Sequence, residues 1–374
     1  MLTISTHRPP IIALGLMSGT SLDGIDAALI KTDGVRIFEH FGGMTFPYEH
    51  QFSNALKGIM GARTPTKQLT QLEVTLTQFH AQAVQALIKQ TGINPDIIGF
   101  HGQTITHDPQ NGFTWQIGSG EMLAQACALP VIGDFRQQDI IHGGQGAPLA
   151  PLYHQALSQS WQQHKDNGAN ILLNIGGICN LTYMDQDQLY AGDCAMGNAP
   201  LNDWISKHGK GAYDQDGEFA SKGTLDQKRL NALLAHPFFA QALPKSLDRQ
   251  SFTPILDQSL TGLSLEDGAA LLTEFSVKAT ANAITDLSKG KPYRLYLCGG
   301  GRYNKFLVER LKFHLGQAPI LIDQMGVDGD LLEAEAFAFL AARSLYQLPL
   351  SLPHTTGASK PCVGGMRSLP VTRR

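Results

Sequence analysis

Residues 15–26, Gly-Leu-Met-Ser-Gly-Thr-Ser-Leu-Asp-Gly-Ile-Asp, constrain the fold more than any other stretch of this chain. A short apolar run (Ile11, Ile12, Ala13, Leu14) precedes them, and a second (Ile25, Ala27, Ala28, Leu29, Ile30) follows. Two strand-like segments joined by a Gly/Ser/Thr/Asp turn read as a β-hairpin with a tight loop. Backbone N–H groups and small hydroxyls can surround phosphate oxygens, and aspartates can hold Mg²⁺ through its water shell. The loop has no Lys or Arg, so it is not a Walker-type phosphate loop, which needs Gly-Lys-Ser/Thr opening a helix. The same residues also make an ordinary turn, and the reading needs support from elsewhere in the chain.

At 374 residues the chain is long for one core, so two domains are expected. A net charge of −3 supplies no basic field for nucleic acid or an acidic membrane. No apolar run reaches the ~20 residues of a membrane span, and the N-terminus does not read as a signal peptide. The five cysteines (Cys127, Cys179, Cys194, Cys298, Cys362) are odd in number and scattered, which argues for a reducing, cytoplasmic setting.

Along the chain, paired strands over 1–31 are followed by an extended stretch from Val35 to Phe46 and a helix over 67–91 with apolar residues near 3.6 spacing. Asp96 to Phe100 reads as a buried strand running into a polar loop, His101 to His107. A helix around 120–128 and a strand at 131–133 lead to the Gly-rich segment 143–148. From Ile171 the pattern restarts: strand, Asn174-Ile175-Gly176-Gly177 turn, return strand. Helices recur at 224–235, 265–288 and 331–346, and a strand at 295–298 delivers Gly299-Gly300-Gly301. Two hairpins, each opening a half with later helices, imply a duplicated α/β architecture with a ligand cleft between halves.

The 15–26 pattern resembles the phosphate-binding hairpin of the 1,6-anhydro-N-acetylmuramic acid kinases, in the sugar kinase, actin and heat-shock ATPase superfamily, and further similar segments cover nearly the whole chain. The resemblance implies a two-domain actin-like ATPase fold with ATP in the cleft between halves, divided here as 1–134 plus 347–374 and 135–346. It implies that Gly19, Thr20, Ser21, Leu22, Asp23, Gly24, Ile25 and Asp26 hold ATP, with Asp23 and Asp26 at Mg²⁺. Asn174, Gly176 and Gly177 would form a second phosphate hairpin, differing from the usual form mainly at Cys179. Gly299, Gly300, Gly301 and Asn304 would surround the adenosine.

Asp193 follows the strand-like Leu189-Tyr190-Ala191. A lone Asp at a strand end is most often a turn former, but the resemblance makes it the general base. Asp193, Gly197 and Asn198 keep the family's pattern, with Gly197 at the phosphates. Cys194-Ala195-Met196 departs from it and puts the local backbone in doubt. Glu333 and Glu335 sit at the start of a helix, where acidic residues are favoured by about 0.3–1 kcal/mol anyway. The family pattern assigns function to Glu333 and leaves Glu335 to packing or capping.

On the sugar side, the resemblance places His101, Gln103, Thr104, Asp134, Arg136, Gln145 and Gly146. Arg136 is the candidate for the lactyl carboxylate, because its fork pairs bidentately with one. Asp139 and the 356–361 segment also match, whereas the end after Gly365 diverges and is expected to be poorly ordered.

The implied activity is ATP-dependent ring opening and 6-phosphorylation of 1,6-anhydro-N-acetylmuramic acid, in cell-wall recycling, with the small sugar as partner and self-association as a homodimer left open. A plain ring hydrolase would not need three nucleotide-type loops. A nucleotide-gated binding module of the actin or chaperone type would leave the polar segments 101–107 and 134–148 without a purpose.

Overall fold

The computed structural model describes residues 8–19, 21–161, 168–186, 188–247 and 249–371. Thr20 lies outside them. The strands are β1 (Ile11–Ser18), β2 (Gly24–Thr32), β3 (Ile37–Pro47), β4 (Ile97–Asp108), β5 (Phe113–Ile117), β6 (Val131–Gly133), β7 (Ala169–Ile175), β8 (Ile178–Asp185), β9 (Gln188–Met196), β10 (Tyr293–Cys298), β11 (Ile320–Leu321) and β12 (Met366–Ser368).

Cα packing divides the chain into two compact units, Met1–Gln162 with Leu331–Arg374 and Gln163–Asp330. The sequence reading cut instead at 134/135 and 346/347. The difference lies in the stretches 135–162 and 331–346, which carry three helices, Gln137–Ile141 and two longer ones. Leu332–Leu345 packs on β1, β2 and β4 of the first unit, and Pro151–Ser160 packs against that helix.

Glycine determines how close the Leu332–Leu345 helix comes to the sheet. A Cβ at Gly15 of β1 would lie 1.8 Å from the Ala334 carbonyl oxygen, and one at Gly99 of β4 would lie 2.1 Å from that of Phe337. Only the absence of side chains lets the helix backbone rest on the strands. Its Ala334, Ala336, Ala338, Ala341 and Ala342 are all buried.

The first unit's sheet runs β12-β6-β4-β1-β2-β3, with β5 paired to β4; the second unit's runs β11-β10-β7-β8-β9. In each, the opening strand pairs antiparallel with its hairpin partner and parallel with a later strand. The duplication expected from two apolar–Gly–apolar hairpins is therefore present in strand order and direction. Each unit also has its own core: Leu14, Leu29, Val84 and Ile98 in the first, and Leu173, Leu181, Ile284 and Leu297 in the second.

Local signals explain many boundaries. The helix Lys67–Thr91 starts at Thr66, whose side chain accepts from the Leu69 N–H, and stops at Gly92 with φ 71°. Two expectations are corrected. His101 to His107 is not a loop but part of β4, with Gly102 at φ 71° bending the strand. Met366–Ser368 is not poorly ordered: it pairs antiparallel with β6 as β12.

Candidate functional site

In the first unit, the β1–β2 loop is held by groups reaching in from elsewhere. Gln103 Nε2 donates to the Gly19 carbonyl (3.1 Å), Ser53 Oγ to that of Leu22 (2.7 Å), and the Tyr48 N–H to that of Asp23 (2.9 Å). Leu22 takes φ 57° and its side chain is buried, as is that of Ile25, so neither side chain is free to meet a ligand. Ser21 Oγ donates to Asp23 Oδ1 (2.7 Å) and Thr45 Oγ1 to Asp26 Oδ1 (2.6 Å). Asp23 is exposed and Asp26 half-buried. Nearby, Ser18 Oγ donates to the Gly24 carbonyl and meets the Tyr48 hydroxyl at 2.5 Å. Burial, with the nearby Asp23 and Asp26 carboxylates, pushes the pKa of that phenol well up against the opposing bond to Ser18, so it stays neutral.

The polar residues of β4 face the same unit's Gly-rich segment. His101 Nδ1 donates to the Gly102 carbonyl (2.8 Å). That assignment leaves Nε2 to accept from Arg136 Nε (3.2 Å) and Nη2 (2.8 Å). Arg136 Nη1 donates to the Gly146 carbonyl (2.6 Å). Burial and the adjacent guanidinium hold His101 well below the usual imidazole range, so it stays neutral. Arg136 itself is pulled down to about 10 by burial, against the opposing fields of Glu333 and Asp139. Among the described residues no carboxylate lies within ion-pair distance of Arg136. A desolvated guanidinium in that position is suited to an incoming anion.

Asp139 is buried and structural. Its oxygens accept from the Gly146 N–H (2.6 Å), Thr356 Oγ1 (2.6 Å) and Ser351 Oγ, and the Gln145 N–H donates to the Thr356 carbonyl (2.7 Å). The 356–361 match thus packs against the Gly-rich loop. Gln103 Oε1 is buried without a partner among the described residues, and Thr104 Oγ1 accepts from Gln116 Nε2. Asp134 is exposed at φ 53°.

Glu333 opens the Leu332–Leu345 helix. It has solvent-accessible surface yet is crowded by protein, so desolvation raises its carboxyl above the usual range while Arg136 pulls it back. It therefore belongs with the Arg136 group. Glu335 is no cap: it is buried and bonded to His40 Nδ1 (3.0 Å) and the Tyr153 hydroxyl.

In the second unit, the Gly176-Gly177 turn joins β7 and β8. The Asn198 N–H donates to the Gly176 carbonyl (2.8 Å), the Gly197 and Ala199 N–H groups to that of Gly177, and Asn198 Nδ2 to that of Ile175. A Cβ at Gly197 would lie 2.2 Å from the Gly176 oxygen. Gly299 and Gly301 serve the same packing, each with a Cβ position 2.1 Å from Asn174 Oδ1 or Ile175 Cγ2, whereas Gly300 faces open space. Asn304 caps the next helix through the Leu307 N–H and donates to the Asp214 carbonyl, so its amide is already engaged.

Asp193 lies inside β9, not at a strand end. Cys194-Ala195-Met196 continues the strand, and a register shift between Cys179 and Asn180 sets Asn180 opposite Asp193 and Cys179 opposite Ala195. The departure from the family pattern is thus accommodated as buried strand. Asp193 Oδ2 accepts from the Leu247 N–H (2.7 Å) and, at 3.5 Å, from Ser246 Oγ. Burial pushes its carboxyl up to about 6, opposed by those two donors and Lys245. A carboxylate with that pKa suits proton abstraction near neutrality.

Sequence reasoning missed Tyr48, Ser53 and residues 243–247. Tyr48 and 243–247 lie outside helices and strands, and Ser53 sits on the short helix His50–Lys57, which the sequence reading did not place. The recurring Ser/Tyr hydroxyls and a Pro-broken stretch gave no signal specific enough to find them.

The family model described as anhydro-N-acetylmuramic acid kinase matches residues 11–368. Curated relatives named anhydro-N-acetylmuramic acid kinase are similar over nearly the full length. The relative from Acidiphilium cryptum is 43% identical, covering 94% of this chain and 97% of its own. That from Gluconobacter oxydans is 42% identical, covering 94% and 98%, and that from Rhodospirillum rubrum 42%, covering 94% and 93%.

Proposed function

This chain belongs to the anhydro-N-acetylmuramic acid kinase family, and from that premise we propose that it opens the ring of 1,6-anhydro-N-acetylmuramic acid with water. In the same reaction it phosphorylates O6 at the expense of ATP, yielding N-acetylmuramic acid 6-phosphate and ADP in cell-wall recycling. The observation that carries the proposal is Asp193. One of its oxygens is held by the Leu247 N–H, and Oδ1 accepts no bond among the described residues.

In the proposed chemistry Asp193 Oδ1 takes a proton from the water that attacks C1. The C1–O6 bond breaks and O6 bonds to the γ-phosphorus of ATP as the bond from that phosphorus to the β–γ bridging oxygen breaks, releasing ADP. A glycosidase would need a second carboxyl group to protonate the leaving oxygen; the phosphoryl group takes the place of that proton. A carbohydrate kinase of this kind uses ATP, and a divalent ion supplies charge neutralisation at the phosphates.

The residues fit such a group. Asp23 is exposed and Asp26 half-buried, Gly300 faces open space, and the Gly176-Gly177 turn presents backbone. We assign Asp23 and Asp26 to Mg²⁺ through its water shell, and Ser21 to orienting Asp23. Glu333, beside Arg136, orders water or phosphate-bound metal.

Arg136 spends three of its N–H groups on His101 and Gly146, leaving one on each terminal nitrogen for the lactyl carboxylate. Gln103 and Thr104 line the sugar pocket with it. All five cysteines are free thiols, in keeping with the cytoplasm.

The test is stoichiometry. ADP should appear only when the anhydro sugar is present, one per ring opened. Ring opening without ADP would make this a hydrolase, and ADP release indifferent to the sugar would make it a nucleotide-gated module.

A further inference from the structure

We propose that the strap 243–247 positions Asp193 for proton abstraction, with Lys245 as the positioning residue that fixes the strap. The proposal rests on the reading of Asp193 as the general base. The strap crosses β9 at Gly192, where a Cβ would lie 2.8 Å from both Leu243 Cδ2 and the Lys245 carbonyl oxygen. Glycine is needed there because any side chain would push the strap off the strand.

The strap then grips Asp193 at two points. The Asp193 N–H donates to the Lys245 carbonyl (2.9 Å), and the Leu247 N–H donates back to Asp193 Oδ2 (2.7 Å). Holding the backbone nitrogen and one carboxylate oxygen fixes the rotation of the side chain, so that Oδ1 is the oxygen left to act. Ser246 Oγ reaches the same Oδ2 at 3.5 Å.

Both ends of this grip are anchored. Lys245 Nζ donates to the Phe238 carbonyl (2.9 Å) and the Phe239 carbonyl (3.4 Å), and lies 4.5 Å above the Phe238 ring. Leu247 is 5% exposed, sunk in the core with Trp204, Phe238 and Phe252. The lysine also sets the charge around the base. Among the described residues, the titratable groups facing Asp193 are Lys245 on the strap, Cys179 on β8 and Cys194 on β9. Burial keeps both thiols neutral, so Lys245 is the cation that favours the ionised base, with Asp286 acting on the lysine in turn.

The experiment is the pH profile of kcat at saturating sugar, ATP and Mg²⁺ for the full chain. Lys245→Met keeps the aliphatic stem and removes the cation and its two carbonyl bonds. Its acid limb should move up by about half to one pH unit, so that kcat falls roughly three- to tenfold below pH 6. It should recover at higher pH, with KM for both substrates unchanged, and Lys245→Arg should restore the limb. Should Lys245→Met fail to fold, Ser246→Ala is read the same way and should shift the limb upward by less. A limb unmoved in the variants that fold, with kcat lowered evenly at every pH or not at all, overturns the strap's role and leaves Asp193 as base. A wild-type profile with no acid limb near 6 removes the base reading, and the strap's role with it.

Discussion

The two hairpins share a topology and differ in what holds them. The β1–β2 loop is braced by residues from distant segments, Gln103, Ser53 and Tyr48, and turns hydroxyls and carboxylates outward. The β7–β8 turn has two glycines and no functional side chain of its own, and is locked by backbone N–H groups at the start of the Asn198–Lys207 helix. One unit therefore offers side-chain chemistry on a supported loop. The other offers bare backbone on a rigid one, next to the strand that carries Asp193. A repeated strand order thus carries two turns that differ in what surrounds and braces them.

The comparison breaks most visibly at its glycines. Overpacking costs about 1–3 kcal/mol where neighbours can give. At Gly197 the obstacle is the Gly176 backbone, so Gly197→Val should unfold the second unit, seen as loss of a cooperative thermal transition. At Gly19 the nearest atom to an added Cβ is Ser21 Oγ at 3.4 Å. Gly19→Ala should leave stability within about 0.5 kcal/mol and weaken only ATP binding. Equal damage at both sites would mean the hairpins are braced alike.

Arg136→Ala sharpens the first unit's side. Charge-assisted bonds contribute roughly 1.5–3 kcal/mol, so activity on the muramic sugar should fall ~10–100-fold while a lactyl-free anhydro analogue is barely affected. An equal fall on both substrates would mean that the bonds to His101 and Gly146 are the whole of its role. A smaller effect is expected from Asp23→Ala, a roughly severalfold rise in the Mg²⁺ needed for half-maximal activity. An unchanged Mg²⁺ titration would make the exposed carboxylate a turn former like any other.

Much of the framework was legible because its signals are local. Thr66 and Gly92 bracket the Lys67–Thr91 helix, and both hairpins show as apolar–Gly–apolar runs. The β4 strand was misread because His101 and Gln103, buried at period two, look like loop residues when polarity is taken for exposure. The packing of the Leu332–Leu345 helix on Gly15 and Gly99 was not legible, because both lie more than two hundred residues away. In the site, Asp193 and Arg136 could be named from motif resemblance. Leu247 could not, and Gly146 was named for the sugar and not for its bond to Arg136, since both act through backbone atoms that every residue has.

Replacing Asp193 by Asn tests the central claim most directly. The amide keeps the shape and the Leu247 bond but takes no proton, so turnover should fall ~10²–10⁴-fold with sugar and nucleotide binding retained. Stability should not fall with it. Burial holds the Asp193 carboxyl at about 6 in the fold, above the ordinary 3.8 of an aspartate. The stability this group contributes is full below pH 3.8 and is lost as pH rises through 6, so at pH 7.5 its ionised form opposes folding. Asp193→Asn should therefore melt at or above the wild-type temperature there. Near wild-type turnover in a homogeneous preparation of this variant would contradict the account.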